Sequence, residues 1–217
     1  GDRGHDVSLE GLFSLHLELE RRAERVRRTP SDAPRLLATC FEAVQAHLRA
    51  LAAQPSTPVN ALDSGACAVC ALLDAGGQSG GQGGQGGGGG DGRGGGDGRG
   101  SGEGGGECTL WVANAGDCRA VLGTRRGGEL SAVALSTDHK VDLPAEQERI
   151  EATGAWVRPS EGDPSGEGEA YVPARVYEQR GKPRLGPGLA VSRALGDLNA
   201  ERAGVVPTPE VLTHQVS

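Results

Sequence analysis

No apolar run in the 217-residue sequence approaches the roughly 20 residues that a membrane-spanning helix needs. The opening residues, Gly1-Asp2-Arg3-Gly4-His5, lack the ordered basic, apolar and small-residue regions of a secretion signal. An excess of basic residues is missing too: the formal net charge is -7, which argues against general affinity for nucleic acid or for anionic membranes. These absences lead to the expectation of an intracellular protein, in the cytoplasm or nucleus, with neither nucleic acid nor membrane among its partners. Methionine does not occur at all, so a chain opening on Gly1 is expected to be a fragment or a processed product.

Cysteine is sparse and odd in number. Five cysteines in a chain without secretory features suggest reduced thiols rather than a disulfide framework. Cys67 and Cys70 form a C-x-x-C, but no second pair and no nearby histidine completes a zinc site. The pair lies in an apolar, strand-like run in which positions i and i+3 point to opposite faces, so both read as core thiols.

Glycine is abundant, and over half of the 38 glycines fall in 76–106. That segment combines Gly with Gln, Ser, Asp, Arg and Glu and lacks any residue able to build a core, so it is expected to be a disordered, passive insertion in a hairpin loop. The Gly-Asp-Gly-Arg-Gly repeats around Asp91 and Asp97 lack the apolar residue of a stacked calcium-binding turn. Arg93 and Arg99 are too few for an arginine-glycine RNA-binding tract. Without the insertion about 185 residues remain, enough for one domain with one core.

Before the insertion, Leu12, Leu15, Leu19, Ala23 and Val26 recur at steps of three and four, which predicts an amphipathic helix. Leu37, Phe41, Val44, Leu48 and Leu51 predict a second, with Ser31 or Asp32 as its cap and Pro34 in its first turn. Short apolar runs follow. Strands are expected at 64–73, 109–114 and 118–122, the three forming an antiparallel meander with a tight turn at Ala115-Gly116-Asp117. Further strands are expected at 131–136, 155–158, 172–177 and toward Leu212, with a short helix from Pro144 to its stop at Gly154.

The segment 186–197 concentrates polar chemistry. Leu189-Ala190-Val191 reads as a buried strand, and Ser192, Arg193 and Asp197 follow it directly. A hydroxyl, a cation and a carboxylate delivered together form either a satisfied packing network or the edge of an active site.

Four segments, in sequence order, resemble signature segments of the metal-dependent type 2C protein serine/threonine phosphatases (PPM-type), particularly the plant and algal form. They are Asp63-Ser64-Gly65-Ala66; Trp111-Val112-Ala113-Asn114-Ala115-Gly116-Asp117-Cys118-Arg119-Ala120-Val121-Leu122; Asp138-His139-Lys140 with Glu146, Glu148-Arg149-Ile150 and Gly154; and the run from Pro187-Gly188 through Ser192-Arg193-Ala194-Leu195-Gly196-Asp197. Cys118 stands where the family usually has serine, and Ala66-Cys67 where it often has two threonines. Residues 1–8 resemble those that follow the family's Asp-Gly-His motif, and the later Asp-Gly-x-Trp-Asp and Asp-Asn motifs do not occur.

The resemblance implies an α+β fold: a four-layer α-β-β-α sandwich of two antiparallel sheets flanked by helices, truncated at both ends. Residues 1–217 then form a partial phosphatase domain interrupted by 76–106. It implies Mg or Mn as cofactor, two or more ions with their principal ligands outside this chain, and hydrolysis of phosphoserine and phosphothreonine in protein substrates by activated water without a phosphoenzyme. It also implies a monomer when the domain is complete. Asp138 becomes the candidate metal ligand, with a turn or cap after a strand as its structural alternative. Asp197 becomes a carboxylate that supports the site from behind the ligands. Arg193 either joins the polar network around Asp197 or is solvated or structurally paired. Asp117 and Arg119 are expected to pair or to order their hairpin, and no residue is assigned as catalytic. The segment by itself is expected to be inactive, and a catalytically silent binding or regulatory module is the alternative function.

Overall fold

The computed structural model describes residues 3–75, 108–165, 170–181 and 186–216. The expected insertion at 76–106 lies outside them. Two helices open the fold, α1 at Arg3–Arg28 and α2 at Ala33–Ala52, joined by the short 3-10 turn Pro30–Asp32. Asp32 occupies the N-cap position of α2, but its side chain makes no capping bond and lies 3.5 Å from Arg25. Pro34 fits the first turn, where a missing N–H costs no helical hydrogen bond.

The α2 stripe is buried as its spacing predicts, with Leu37, Phe41, Val44 and Leu48 almost inaccessible. The α1 stripe differs from expectation. Val7, Leu15 and Val26 are buried, whereas Leu12 is 65% exposed together with Phe13 at 66%. Leu9, Phe13 and Leu17 form a second apolar row at four-residue steps. With two rows on one helix, periodicity alone cannot say which faces α2.

Seven residues of β2 (Ala68–Asp74) pair antiparallel with β3 (Cys108–Ala115), in a register that sets Ala68 opposite Ala115. The other neighbour of β3 is β9 (Glu210–Val216), also antiparallel, with Cys108 opposite Val216. The expected three-strand meander is therefore corrected. The strand expected at 118–122 begins at Val121 as β4 (Val121–Arg126) and, among the described residues, pairs only with β5 (Glu129–Ala134). Gly116, at φ +99, turns the chain out of the β3 ladder, and a Cβ there would overlap Cys67 Sγ. The two-residue Gly127-Gly128 turn of the β4–β5 hairpin has positive φ at both positions, a conformation glycine adopts without steric cost. Residues of α1, α2, β3 and the 61–72 region share one apolar core.

A second core surrounds α3 (Pro144–Glu151). Ile150 packs with Val141, Val157 of β6 (Trp156–Arg158), Val176 of β7 (Arg175–Tyr177), Ala200 and Val205. Leu189 to Val191 do not form a regular strand: Leu189 bridges Val176 and Val191 bridges Lys140, one contact on each side, and all three residues are half-buried. Full burial begins just beyond them, at Ser192, Ala194 and β8 (Leu195–Gly196), which pairs with β1 (Gly65–Ala66). The protein is thus α+β, with antiparallel sheets flanked by helices, consistent with the layers of an α-β-β-α sandwich.

Candidate functional site

Asp138 sits where two loops are tied together. Asn114, buried at the end of β3, donates from Nδ2 to the Gly116 carbonyl at 3.0 Å and to the Thr137 carbonyl at 2.7 Å. The His139 N–H donates to the Gly116 carbonyl at 2.9 Å, closing 114–116 against 137–139. From this clamp, Asp138 accepts two hydrogen bonds from Arg119: Nε to Oδ1 at 3.1 Å and Nη2 to Oδ2 at 2.6 Å. Alongside, Lys140 Nζ donates to Asp117 Oδ2. Asp117 and Arg119 therefore do not pair with each other; each takes its partner from the 138–140 loop.

Both carboxyls titrate below the usual carboxylate range, Asp138 chiefly through the hydrogen bond from Arg119 and Asp117 chiefly through that from Lys140. The Cys67 thiol beneath Asp117 is pushed up to about 12, first by burial, so it stays protonated and unreactive. Burial lowers the His139 pKa, and both its ring nitrogens are buried without a hydrogen-bond partner among the described residues.

Arg193 makes the structural pair, and its partner is Glu146 rather than Asp197. Arg193 Nη2 donates to Glu146 Oε1 at 2.6 Å and Nε to Oε2 at 3.1 Å. Ser192 Oγ and Arg149 Nη2 each add a bond to Oε2 at 2.7 Å. Arg149 also reaches the carbonyls of Gly204 and Ser192, and Arg193 that of Thr208. Burial alone would raise the Glu146 pKa, but the bonds from Arg193, Arg149 and Ser192 outweigh it and bring it to about 2. In the sequence Glu146 stands out only as a motif residue. Its spacing three residues before Arg149 is visible there, but the closure with Arg193, 47 positions away, is not.

Asp197 occupies a third location. It is the one non-glycine with positive φ among the described residues, at +46, and its N–H donates to the Ser64 carbonyl at 2.9 Å. Its carboxylate packs so closely on Gly65 that a Cβ there would overlap Oδ2. Burial, and then the charge of Asp63, raise the Asp197 pKa to about 6. Asp63 itself accepts from Asn199 Nδ2 at 2.8 Å. Asp63, Glu178, Asp197, Asn199 and Arg202 are among the residues around a cavity of about 430 Å³. Behind the turn, Gln45 of α2 holds Gly196 from both sides, accepting its N–H at 2.8 Å and donating to its carbonyl at 3.1 Å.

Asp138 offers hard oxygen donors suited to Mg or Mn. It can supply one carboxylate to such an ion. No group of three or more His, Cys, Asp or Glu side chains able to hold a metal occurs among the described residues. Among the described residues, then, Asp138 could supply one carboxylate to an ion but stands in no cluster able to hold one.

Residues 102–217, more than half of the chain, match the family model for protein phosphatase 2C, and the match spans Asp138, Arg193 and Asp197. The chain belongs to the protein phosphatase 2C family. It is 39% identical over 109 residues to probable protein phosphatase 2C 12 of Oryza sativa subsp. japonica, covering 50% of this chain and 25% of that protein. It is 38% identical over 109 residues to probable protein phosphatase 2C 72 of Arabidopsis thaliana, covering 50% and 30%. The chain thus spans a quarter to a third of the length of these curated relatives. Among solved structures it is similar to a serine-threonine phosphatase 2C from Toxoplasma gondii, with 24% identity and a TM-score of 0.38 over 50% of this chain and 34% of the other. Within the phosphatase 2C frame, Asp138, Glu146 with Arg193, and Asp197 stand on three separate polar assemblies rather than on one.

Proposed function

We propose that the whole protein hydrolyses phosphoserine and phosphothreonine esters in phosphoproteins, as a Mg- or Mn-dependent monomer of the cytoplasm or nucleus. The observation that carries this reading is the phosphatase 2C family match across 102–217. Bound divalent ions supply charge neutralisation at the phosphoryl group and lower the pKa of water, which this slow hydrolysis requires. In this reading residues 1–217 are one partial catalytic domain with 76–106 as an insertion.

The chain's own residues take distinct parts. Asp138 contributes a carboxylate toward an ion, steadied by the Asn114 and Gly116 clamp. Arg193 fixes the 189–193 segment to α3 through Glu146. Asp197 presents a carboxyl at the 430 Å³ cavity and supports the site from there. No residue of this chain is given the proton-transfer role.

The test is phosphate release from a phosphothreonine peptide by the full-length protein. Release with Mg or Mn, stopped by EDTA, is expected. A full-length protein inert with both ions would overturn the reading and favour a silent binding or regulatory module. The 217-residue chain assayed alone should show negligible turnover of p-nitrophenyl phosphate, and robust Mn-stimulated turnover would contradict that expectation.

A further inference from the structure

The outward side of α1 changes character halfway along the helix. A helix lying on a protein surface is expected to turn polar residues to water, and from residue 20 onward α1 does so, with Glu20, Arg21, Glu24 and Arg25 exposed. Its first half does the opposite. Leu9 is 43% exposed and Leu17 48%, beside the still more open Leu12 and Phe13. The packing of α1 does not require these four side chains, because Val7, Leu15 and Val26 on its other side already lie in the shared apolar core. Steps of three and four make the four residues neighbours on the helix surface. A contiguous apolar patch marks an interaction surface, whereas single exposed leucines need no explanation.

The patch includes a socket. Phe13 and Leu17, with Ala43 and His47 of α2, are among the residues around a cavity of about 230 Å³ between the two helices. Pockets that enclose a whole small molecule begin at roughly 300 Å³, so this one suits a single apolar side chain supplied by a partner. The fringe of the patch is acidic. From Asp6 to Arg22 the helix carries four carboxylates, Asp6, Glu10, Glu18 and Glu20, against two guanidiniums, a net charge of -2 with histidine neutral. Both guanidiniums are engaged by one carboxylate, since Arg21 and Arg22 each donate to Glu18. Glu10 and Glu20 have only imidazoles as side-chain partners among the described residues, His47 at 2.7 Å and His16 at 3.1 Å.

We propose that the outward face of α1 over residues 9–17 docks an amphipathic helix of a partner protein, with an apolar stripe that lies on Leu9, Leu12, Phe13 and Leu17 and with basic flanks. Such a helix presents apolar side chains at the same steps of three and four, so one of them enters the cavity between α1 and α2 while its neighbours cover Leu9 and Leu12. The acidic fringe selects the basic flanks. It also disfavours a second copy of this chain, which would bring the same carboxylates against one another, and an anionic membrane surface for the same reason.

Fluorescence anisotropy of a labelled synthetic peptide tests this on the 217-residue chain without any activity assay. The probe is a helix of about 18 residues with leucines at steps of three and four and lysines beside them; its control keeps the leucines and replaces each lysine by glutamate. The lysine peptide should bind about tenfold or more tightly than the glutamate peptide. Phe13→Asp adds a charge that attracts lysine but removes the apolar anchor, and it should weaken the lysine peptide about tenfold or more with the circular dichroism spectrum unchanged. Glu20→Lys should weaken it about threefold. If neither peptide binds, or if Phe13→Asp and Leu12→Asp both leave the affinity unchanged, the docking face is overturned. Equal binding of the two peptides overturns the basic character of the partner. A dimer that Phe13→Asp disperses assigns the face to a second copy, and a full-length protein that fails to bind the peptide bound by the 217-residue chain assigns it to another segment of the same protein; either result overturns the proposal.

Discussion

Asp197 shows how a single residue can be costly to the fold that needs it. It adopts the left-handed conformation at φ +46, and its carboxyl is held beside Asp63 with a pKa near 6 instead of the ordinary 3.8. A carboxyl whose folded pKa is raised opposes folding once it must ionise. The cost is absent below pH 3.8, grows between there and about 6, and is full above that. Asp197→Asn removes the charge and retains a side chain that tolerates positive φ. It should stabilise the chain by about 1–2 kcal/mol at pH 7.5, after allowance for the part of the carboxyl that water reaches, and by almost nothing at pH 3.5. Urea unfolding at the two pH values checks this. An equal effect at both would show that backbone preference, not charge, is responsible.

Among the elements, α3 owes its position to a buried ion pair as much as to its apolar face. Only Ile150 and Glu146 of this helix are buried, and Glu146 binds α3 to Ser192 and Arg193 while Arg149 reaches Gly204. The folded Glu146 pKa of about 2 lies below its ordinary 4.5, so its contribution is present above pH 4.5 and disappears as the pH falls toward 2. Glu146→Gln should cost roughly 3–5 kcal/mol at pH 7, because two arginines lose their shared carboxylate inside the protein. That difference from the unsubstituted chain should shrink by more than half at pH 2.5. Denaturant titrations at both values measure it, and a pH-independent loss would mean that packing and not charge pairing holds the helix. The punctuation by Pro144 at its start and Gly154 past its end placed α3 correctly to within a few residues. It could not reveal that a carboxylate on the helix is the inward anchor.

At the scale of the molecule, the three-stranded sheet β2-β3-β9 has β2 and β9 at its margins, with no further ladder on either among the described residues. Leu73 on β2 is 56% exposed and Leu130 on β5 is 73% exposed. Unpaired strand edges beside exposed apolar side chains promote association. Light scattering during size exclusion should find the isolated chain associating as its concentration rises from about 5 to 200 µM, and Leu73→Lys should lessen this by placing a charge at the edge. A monomer throughout that range would overturn the expectation. Among the described residues no helix is long and apolar enough to cross a membrane.

What the sequence determined by itself was the class of the fold and the family. Helical spacing in 37–48, short apolar runs separated by glycines, and four collinear motifs are local signals, written within a few residues of one another. The assembly of the polar residues was decided only in three dimensions. Asp117, Arg119, Asp138 and Lys140 offer two carboxylates and two cations whose partners cannot be chosen from spacing. The Gly116 turn and its bonds to the 137–139 loop settle that Arg119 faces Asp138 and Lys140 faces Asp117. Arg193 likewise lies four residues from Asp197 in sequence, yet its charge is matched by Glu146. The physical reason is the same in each case. Hydrophobic periodicity records which face of an element is buried, whereas an ion pair depends on the distance between two elements, and that distance exists only once the chain has folded.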